Sequence, residues 1–227
     1  LAYNKNYTFH CILPQHTSEA YWEEIEIGAI KAIEFRRDFH LDIKLRHFSR
    51  LNPKTYIETC HRCLNEKPDG VILVPTTLEA TKVFTDQLHK QNIPFVLLDS
   101  YMSDLKPLSF YGQDSFQSGY FAAKMLMLIA TKENSIMLVR QTFEGKVTSR
   151  QQEYREVGFR NYMEKFYPQV VIKTLDLPMG KDKETYNAML EDFFLANPNI
   201  HHCFAINSRA YVVGEFILET NRKDVQI

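Results

Sequence analysis

The chain has 227 residues, 44% hydrophobic and 24% charged, with 8 glycines and 9 prolines; these are proportions of an ordinary soluble globular protein and exclude a fibrous or low-complexity chain. Lys and Arg total 27 against 28 Asp and Glu, and the resulting charge of −1 speaks against a self-sufficient nucleic-acid binder. The longest apolar runs, 71–75 and 125–130, are far too short to span a bilayer, and the length is comfortable for two small domains.

Residues 7–13 read as a strand closed by Pro14, and Ser18 is placed to cap a helix through Trp22, Ile25, Ala29 and Ile33 towards Phe39. Residues 41–48 alternate apolar and polar positions in the manner of an edge strand. Pro53 opens a helix with Ile57, Cys60 and Leu64 on one face. Cys60-His61-Arg62-Cys63 has the spacing of a metal or redox motif, but no second ligand pair stands at suitable spacing, and the helical context favours core packing. Cys11 and Cys203 lie in strand-like runs where a thiol acts as a small hydrophobe, and the four-cysteine pattern fits a reducing, cytoplasmic compartment. Residues 70–74 and 94–98 read as strands buried on both faces, central and parallel, separated by a helix over 77–91 with Val83, Phe84 and Leu88 inward. A short strand at 108–112 precedes a long helix at 116–131.

The rhythm then restarts, with strands at 135–140, 170–177 and 202–206 and helices at 150–166, 183–195 and 211–220. Alternation of this kind implies an α/β fold of two doubly wound parallel-sheet lobes, 1–132 and 133–227, joined near 130–134. A further strand is expected just where the chain stops at Ile227, so the second lobe reads as incomplete. The sequence contains no Gly-rich phosphate loop, no Gly-x-Gly-x-x-Gly turn and no Gly-x-Ser-x-Gly elbow. A binding cleft is therefore expected rather than an enzyme, with its informative residues just after each strand.

Three segments carry a family resemblance. Phe110-Tyr111-Gly112-Gln113-Asp114-Ser115-Phe116-Gln117-Ser118-Gly119, with Ala122-Ala123, resembles the strand–Val-x-Asp-Asn–x-x-Gly–helix segment of the LacI/GalR regulators. Arg155-Glu156-Val157-Gly158-Phe159 matches their Arg-x-x-Gly-Phe helix, and Phe204-Ala205-Ile206-Asn207-Ser208-Arg209-Ala210 with Gly214 resembles their Asn-Asp-x-x-Ala segment. Order and spacing hold from about residue 7 to 220. Ser208 stands where the family has Asp and Ser115 where it has Asn, and neither the final crossover nor a helix-turn-helix module is present. The resemblance implies a periplasmic-binding-protein-like (type I) effector domain of a bacterial regulator, taking a small polar effector, most plausibly a saccharide, in a cleft between lobes. It also implies a homodimer paired through the outer side of the 77–91 helix. DNA would be bound only through a separate N-terminal module. No cofactor, metal or membrane partner is expected. A periplasmic sugar-binding protein of a transport system is the alternative.

The resemblance gives Arg155 the role of donor to ligand hydroxyls, against a solvated helix arginine paired with Glu153 or Glu156. Asp114 combines an N-cap reading with the family's effector contact. Asn207 offers an amide suited to a vicinal diol, or is a turn residue. Trp22, the only tryptophan, could stack on a pyranose face or pack in the core; His16, next to Gln15, is a hydrogen-bonding candidate or a surface histidine. Asp99, with Thr76 and Ser100, follows a strand end and reads as ligand contact or cap.

Overall fold

The computed structural model describes residues 5–16, 21–36, 39–130, 132–147 and 149–227; Ser18 and its expected cap, and Thr131, lie outside them. The chain divides into two compact units, Leu1–Gly112 and Gln113–Ile227.

The first unit runs β1 (Tyr7–Pro14), α1 (Tyr21–Phe35), β2 (Leu41–Phe48), α2 (Pro53–Glu66), β3 (Gly70–Leu73), α3 (Leu78–Lys90), β4 (Phe95–Leu98) and β5 (Ser109–Tyr111). Its five strands are ordered β2-β1-β3-β4-β5, and every pairing is parallel. The expected parallel pairing of the two buried strands is found, with Val71 opposite Phe95 and Leu73 opposite Leu97. Strand periodicity decides the faces. Ile12, Val71, Leu73, Phe95 and Leu97 point to one side, where Tyr56, Cys60 and Cys63 of α2 and Phe84 and Leu88 of α3 cover them. Cys11, Leu13 and Val74 point to the other, against Trp22 and Ile25 of α1.

Two helices bury a different stripe from the one expected. On α2 the inward residues are Tyr56, Thr59, Cys60 and Cys63, and Ile57 is 47% exposed. On α3 they are Thr81, Phe84, Thr85 and Leu88, and Val83 is 64% exposed. Both stripes keep the i, i+3, i+4, i+7 spacing but run through threonines. Their hydroxyls are satisfied locally: Thr81 Oγ1 accepts from the Tyr56 hydroxyl and the Thr76 N–H, both at 3.2 Å. Thr59 and Thr85 donate to the carbonyls of His47 and Lys82. A buried, hydrogen-bonded threonine packs as a hydrophobe of valine's shape.

The second unit runs α4 (Ser115–Ile129), β6 (Ser135–Phe143), β7 (Lys146–Val147), α5 (Arg150–Phe166), β8 (Val171–Pro178), α6 (Lys183–Ala196), β9 (Cys203–Ala205) and α7 (Ala210–Glu219). β6 pairs in parallel with β8 and with β9, and its end folds back on β7 as an antiparallel hairpin. Glu144 and Gly145 both have positive φ, as the two-residue hairpin turn requires. Beyond β9, Gln226 bridges His202 in parallel, and the Cys203 N–H donates to the Gln226 carbonyl at 2.9 Å. Met137 and Val139 pack under α6 and α7, while Ile136 and Leu138 pack under α4 and α5.

α4 therefore belongs to the second unit, and the boundary falls at residue 112 rather than at the expected 132. The reason is a backbone-to-backbone helix crossing. A Cβ on Gly119 would stand 1.8 Å from the Arg155 carbonyl oxygen, and one on Gly158 would stand 2.0 Å from that of Phe116. Only glycine admits this approach.

Two predictions follow from this packing. Gly158→Ala forces a methyl group into a carbonyl and should cost at least the overpacking penalty of about 1–3 kcal/mol, read as a lower urea midpoint; an unchanged midpoint would refute the crossing. His10 is wholly buried, and burial, reinforced by Arg46 and Lys44 and opposed by Glu66 and Asp42, holds its imidazole below the ordinary histidine range. Below pH of about 6.5 the unfolded chain takes a proton that the folded chain resists, so stability falls on acidification. Urea midpoints between pH 7.5 and 5 should decline less in His10→Gln than in the parent; parallel declines would contradict this.

Candidate functional site

The carboxyl ends of the strands, where doubly wound sheets carry their functional groups, are polar in both units. In the second unit, α5 starts after β7, capped by Ser149, whose hydroxyl accepts from the Gln152 N–H. Gln152 and Arg155, three residues apart, share a helix face. Gln152 is buried, and its Oε1 accepts from the Gln141 N–H at 3.3 Å and from Asn207 Nδ2 at 3.2 Å. Arg155 Nη1 donates to the Ile206 carbonyl, immediately before Asn207. Asn207 Oδ1 accepts from the Arg209 N–H at 2.9 Å, closing a turn before α7. One connected set of hydrogen bonds thus ties β6, α5 and the end of β9 together.

Glu156 and Glu153, the acids offered as alternative partners of Arg155, both contact other cations. Glu156 accepts from Arg160 at 2.8 Å and from Arg140 at 3.3 Å, and Arg140 in turn makes a two-pronged contact with Asp176 at 2.6 and 2.8 Å. These neighbours raise the Arg140 pKa above its ordinary value, the Asp176 hydrogen bond most of all. Glu153 lies 4.0 Å from Arg150. Asp114 is exposed and caps α4, accepting from the Gln117 N–H at 3.0 Å.

In the first unit the strand order reverses between β1 and β3, the switch point of such a sheet. Asp99 follows β4 with φ of +66° and is buried; the Ser100 N–H closes a three-residue turn onto the Leu98 carbonyl at 2.7 Å. That γ-turn with positive φ is the strained form, and stored backbone strain concentrates at functional positions. The Tyr21 hydroxyl donates to Asp99 Oδ1 at 3.0 Å. Trp22 is half-buried on α1, packed against the Cys11, Leu13 and Val74 cluster and edge-on to Tyr21 at 4.9 Å, so it serves the core at least in part. His16 Nε2 meets Glu26 Oε2 at 2.9 Å. A surface depression of about 560 Å³ lined by Lys67, Asp69 and Asn92 lies before β3 and β4, at the opposite strand ends.

The structure thus gathers Arg155 and Asn207 in the second unit and places Asp99 with Tyr21 in the first. Gln152 and Tyr21 escaped the sequence reading. Gln152 was legible as a polar residue one turn before Arg155; nothing local marks Tyr21. All four cysteines are free and buried, and burial pushes the thiols of Cys11, Cys60, Cys63 and Cys203 up to about 12. Among the described residues no helix is long and apolar enough to cross a membrane.

Two doubly wound sheets with their polar groups at the strand carboxyl ends define the class, and residues 11–227 match the periplasmic binding protein domain family. The chain belongs to that family. It is 38% identical to a Bacteroides fragilis protein of known structure provisionally called a LacI transcriptional regulator, with a TM-score of 0.93, covering 97% of this chain and 76% of that one. Two further structures are similar in fold alone. The sugar-binding protein of a Bacillus halodurans sugar ABC transporter is 19% identical, with a TM-score of 0.78 and coverage of 97% and 73%. GanP, a glucose-galactose binding protein from Geobacillus stearothermophilus, is 17% identical, with a TM-score of 0.78 and coverage of 97% and 75%. No curated protein sequence matches the chain.

Proposed function

We propose that the chain is the saccharide-sensing part of a LacI-type regulator, a binding protein rather than a catalyst. The observation that carries the reading is the Gln152–Asn207 and Arg155–Ile206 network at the carboxyl ends of β6 and β9. It holds a guanidinium and an amide on neighbouring elements, and together they supply the mixed donors and acceptor that a polyol needs. A guanidinium has five N–H donors in a rigid fork, so holding the Ile206 carbonyl is compatible with donating to a hydroxyl. Asp99, fixed by its turn and by Tyr21, is the corresponding acceptor in the first unit.

The regulator reading rests on the 38% identity to the Bacteroides fragilis protein and on four buried, unbridged thiols, which suit a reducing cytoplasm. In this reading DNA is contacted through a separate N-terminal module, and two chains pair through the outward side of α3, where Val83 is exposed. The second reading, a transport binding protein, is supported by the names of the more distant neighbours. The coding sequence upstream of Leu1 separates the two: a helix-turn-helix supports the regulator, a secretory leader the transporter.

A thermal-shift screen of neutral mono- and disaccharides should find a ligand; stabilisation by none of them would sink the proposal. With that ligand, Arg155→Ala should weaken binding by roughly 1.5–3 kcal/mol, about 10- to 150-fold, and Arg155→Lys should restore it only in part. Calorimetric titration checks this, and unchanged affinity in the alanine variant would assign Arg155 a purely structural role.

A further inference from the structure

Three side chains from three elements of the first unit converge: His16 just after β1, Glu26 on α1 and His47 at the end of β2. Nε2 of His16 lies 2.9 Å and Nε2 of His47 lies 2.8 Å from the same carboxylate oxygen, Oε2 of Glu26. The three atoms all lie within 4.8 Å of one another. The rings meet edge-on, with centroids 5.8 Å apart. The side chains are 14%, 22% and 33% exposed, shielded but reachable from solvent.

The backbone determines this meeting. Parallel pairing of β1 with β2 sets His47 opposite Leu13, three residues before His16. His47 shares the parity of Ile43 and Leu45, which pack against the α1 face, so its ring is delivered to the side where Glu26 stands. Other histidine–carboxylate contacts in the described residues, His10 with Glu66, His201 with Asp224 and His202 with Glu133, bring one histidine to one carboxylate each. Among the described residues, the first cluster alone supplies three ligand atoms.

We propose that His16, Glu26 and His47 form a divalent transition-metal site of the zinc class. Two imidazole nitrogens and one carboxylate oxygen are the donor set of a three-ligand zinc centre that leaves a fourth position open to solvent. Ligand atoms around a tetrahedral ion stand about 3.3 Å apart. The His–Glu distances open by a few tenths of an ångström to reach that spacing, and the imidazoles approach each other through small side-chain rotations. The ion takes the place of the hydrogen bonds that join the rings to Glu26, and each imidazole binds it through Nε2 with its ring proton on Nδ1. The site lies within one unit, and its existence does not depend on the saccharide reading.

The test is calorimetric titration of chelator-treated protein with Zn2+ in the absence of sugar, with Co2+ absorption as an optical readout of coordination. The structure predicts one ion per chain. Glu26→Gln, nearly isosteric, and His47→Ala should each weaken binding by at least the 10- to 100-fold typical of losing a supporting partner of a metal site, on the order of that range or above. His61→Ala, on the exposed side of α2, should leave it unchanged. Circular dichroism verifies that the variants fold, and Glu26→Gln alone decides the matter if His47→Ala does not. No saturable one-to-one binding, or binding indifferent to Glu26→Gln, would overturn the assignment.

Discussion

The second unit depends on the crossing of α4 and α5, where each helix presents a glycine to a carbonyl of the other. At Gly119 the facing carbonyl is that of Arg155 itself, so the contact that fixes the helices also fixes the backbone from which the Arg155 guanidinium extends. From there the side chain reaches the Ile206 carbonyl, and Gln152, one turn earlier, reaches Asn207. Packing and site geometry are one constraint. Pushing α5 away from α4 by the width of a methyl group would move the backbone that carries Arg155.

The polar groups at the strand ends meet structural demands that would also suit the proposed ligand site. Asp114 caps a helix, Asn207 closes a turn, and Gln152 satisfies a buried backbone N–H. These tasks hold each side chain in one orientation before any ligand arrives, and such preorganisation lowers the entropic cost of binding. Asp99 carries the same logic further, held in a left-handed turn between a strand and a buried serine. The Arg140–Asp176 and Arg160–Glu156 contacts knit β6, β8 and α5 together.

Much of the fold was legible in the sequence because strand and helix periods alternate strongly. Buried strands such as Gly70–Leu73 and Phe95–Leu98 announce themselves by continuous apolar runs. Helix faces were read less well. On α2 and α3 the inward stripe passes through Thr59, Thr81 and Thr85, whose burial depends on partners that hydropathy cannot supply. The Lys146–Val147 hairpin strand is too short for a period to show. The division at residue 112 is not legible in the sequence, because α4 follows β5 directly and nothing in its composition states which sheet it covers. Arg155 and Asn207 could be singled out by motif, but Gln152 and Tyr21 earn their roles from residues 55 and 78 positions away. The His16–Glu26–His47 cluster needed the β1–β2 register before it could be seen.

The central claim is that the α5–β9 network is a prearranged polyol-binding surface. A crystal structure of the protein with a saccharide found by thermal shift tests it most directly. The account predicts hydroxyls of the sugar within about 3 Å of both the Arg155 guanidinium and the Asn207 amide, with the Arg155–Ile206 contact retained. A sugar bound out of reach of both side chains would contradict it.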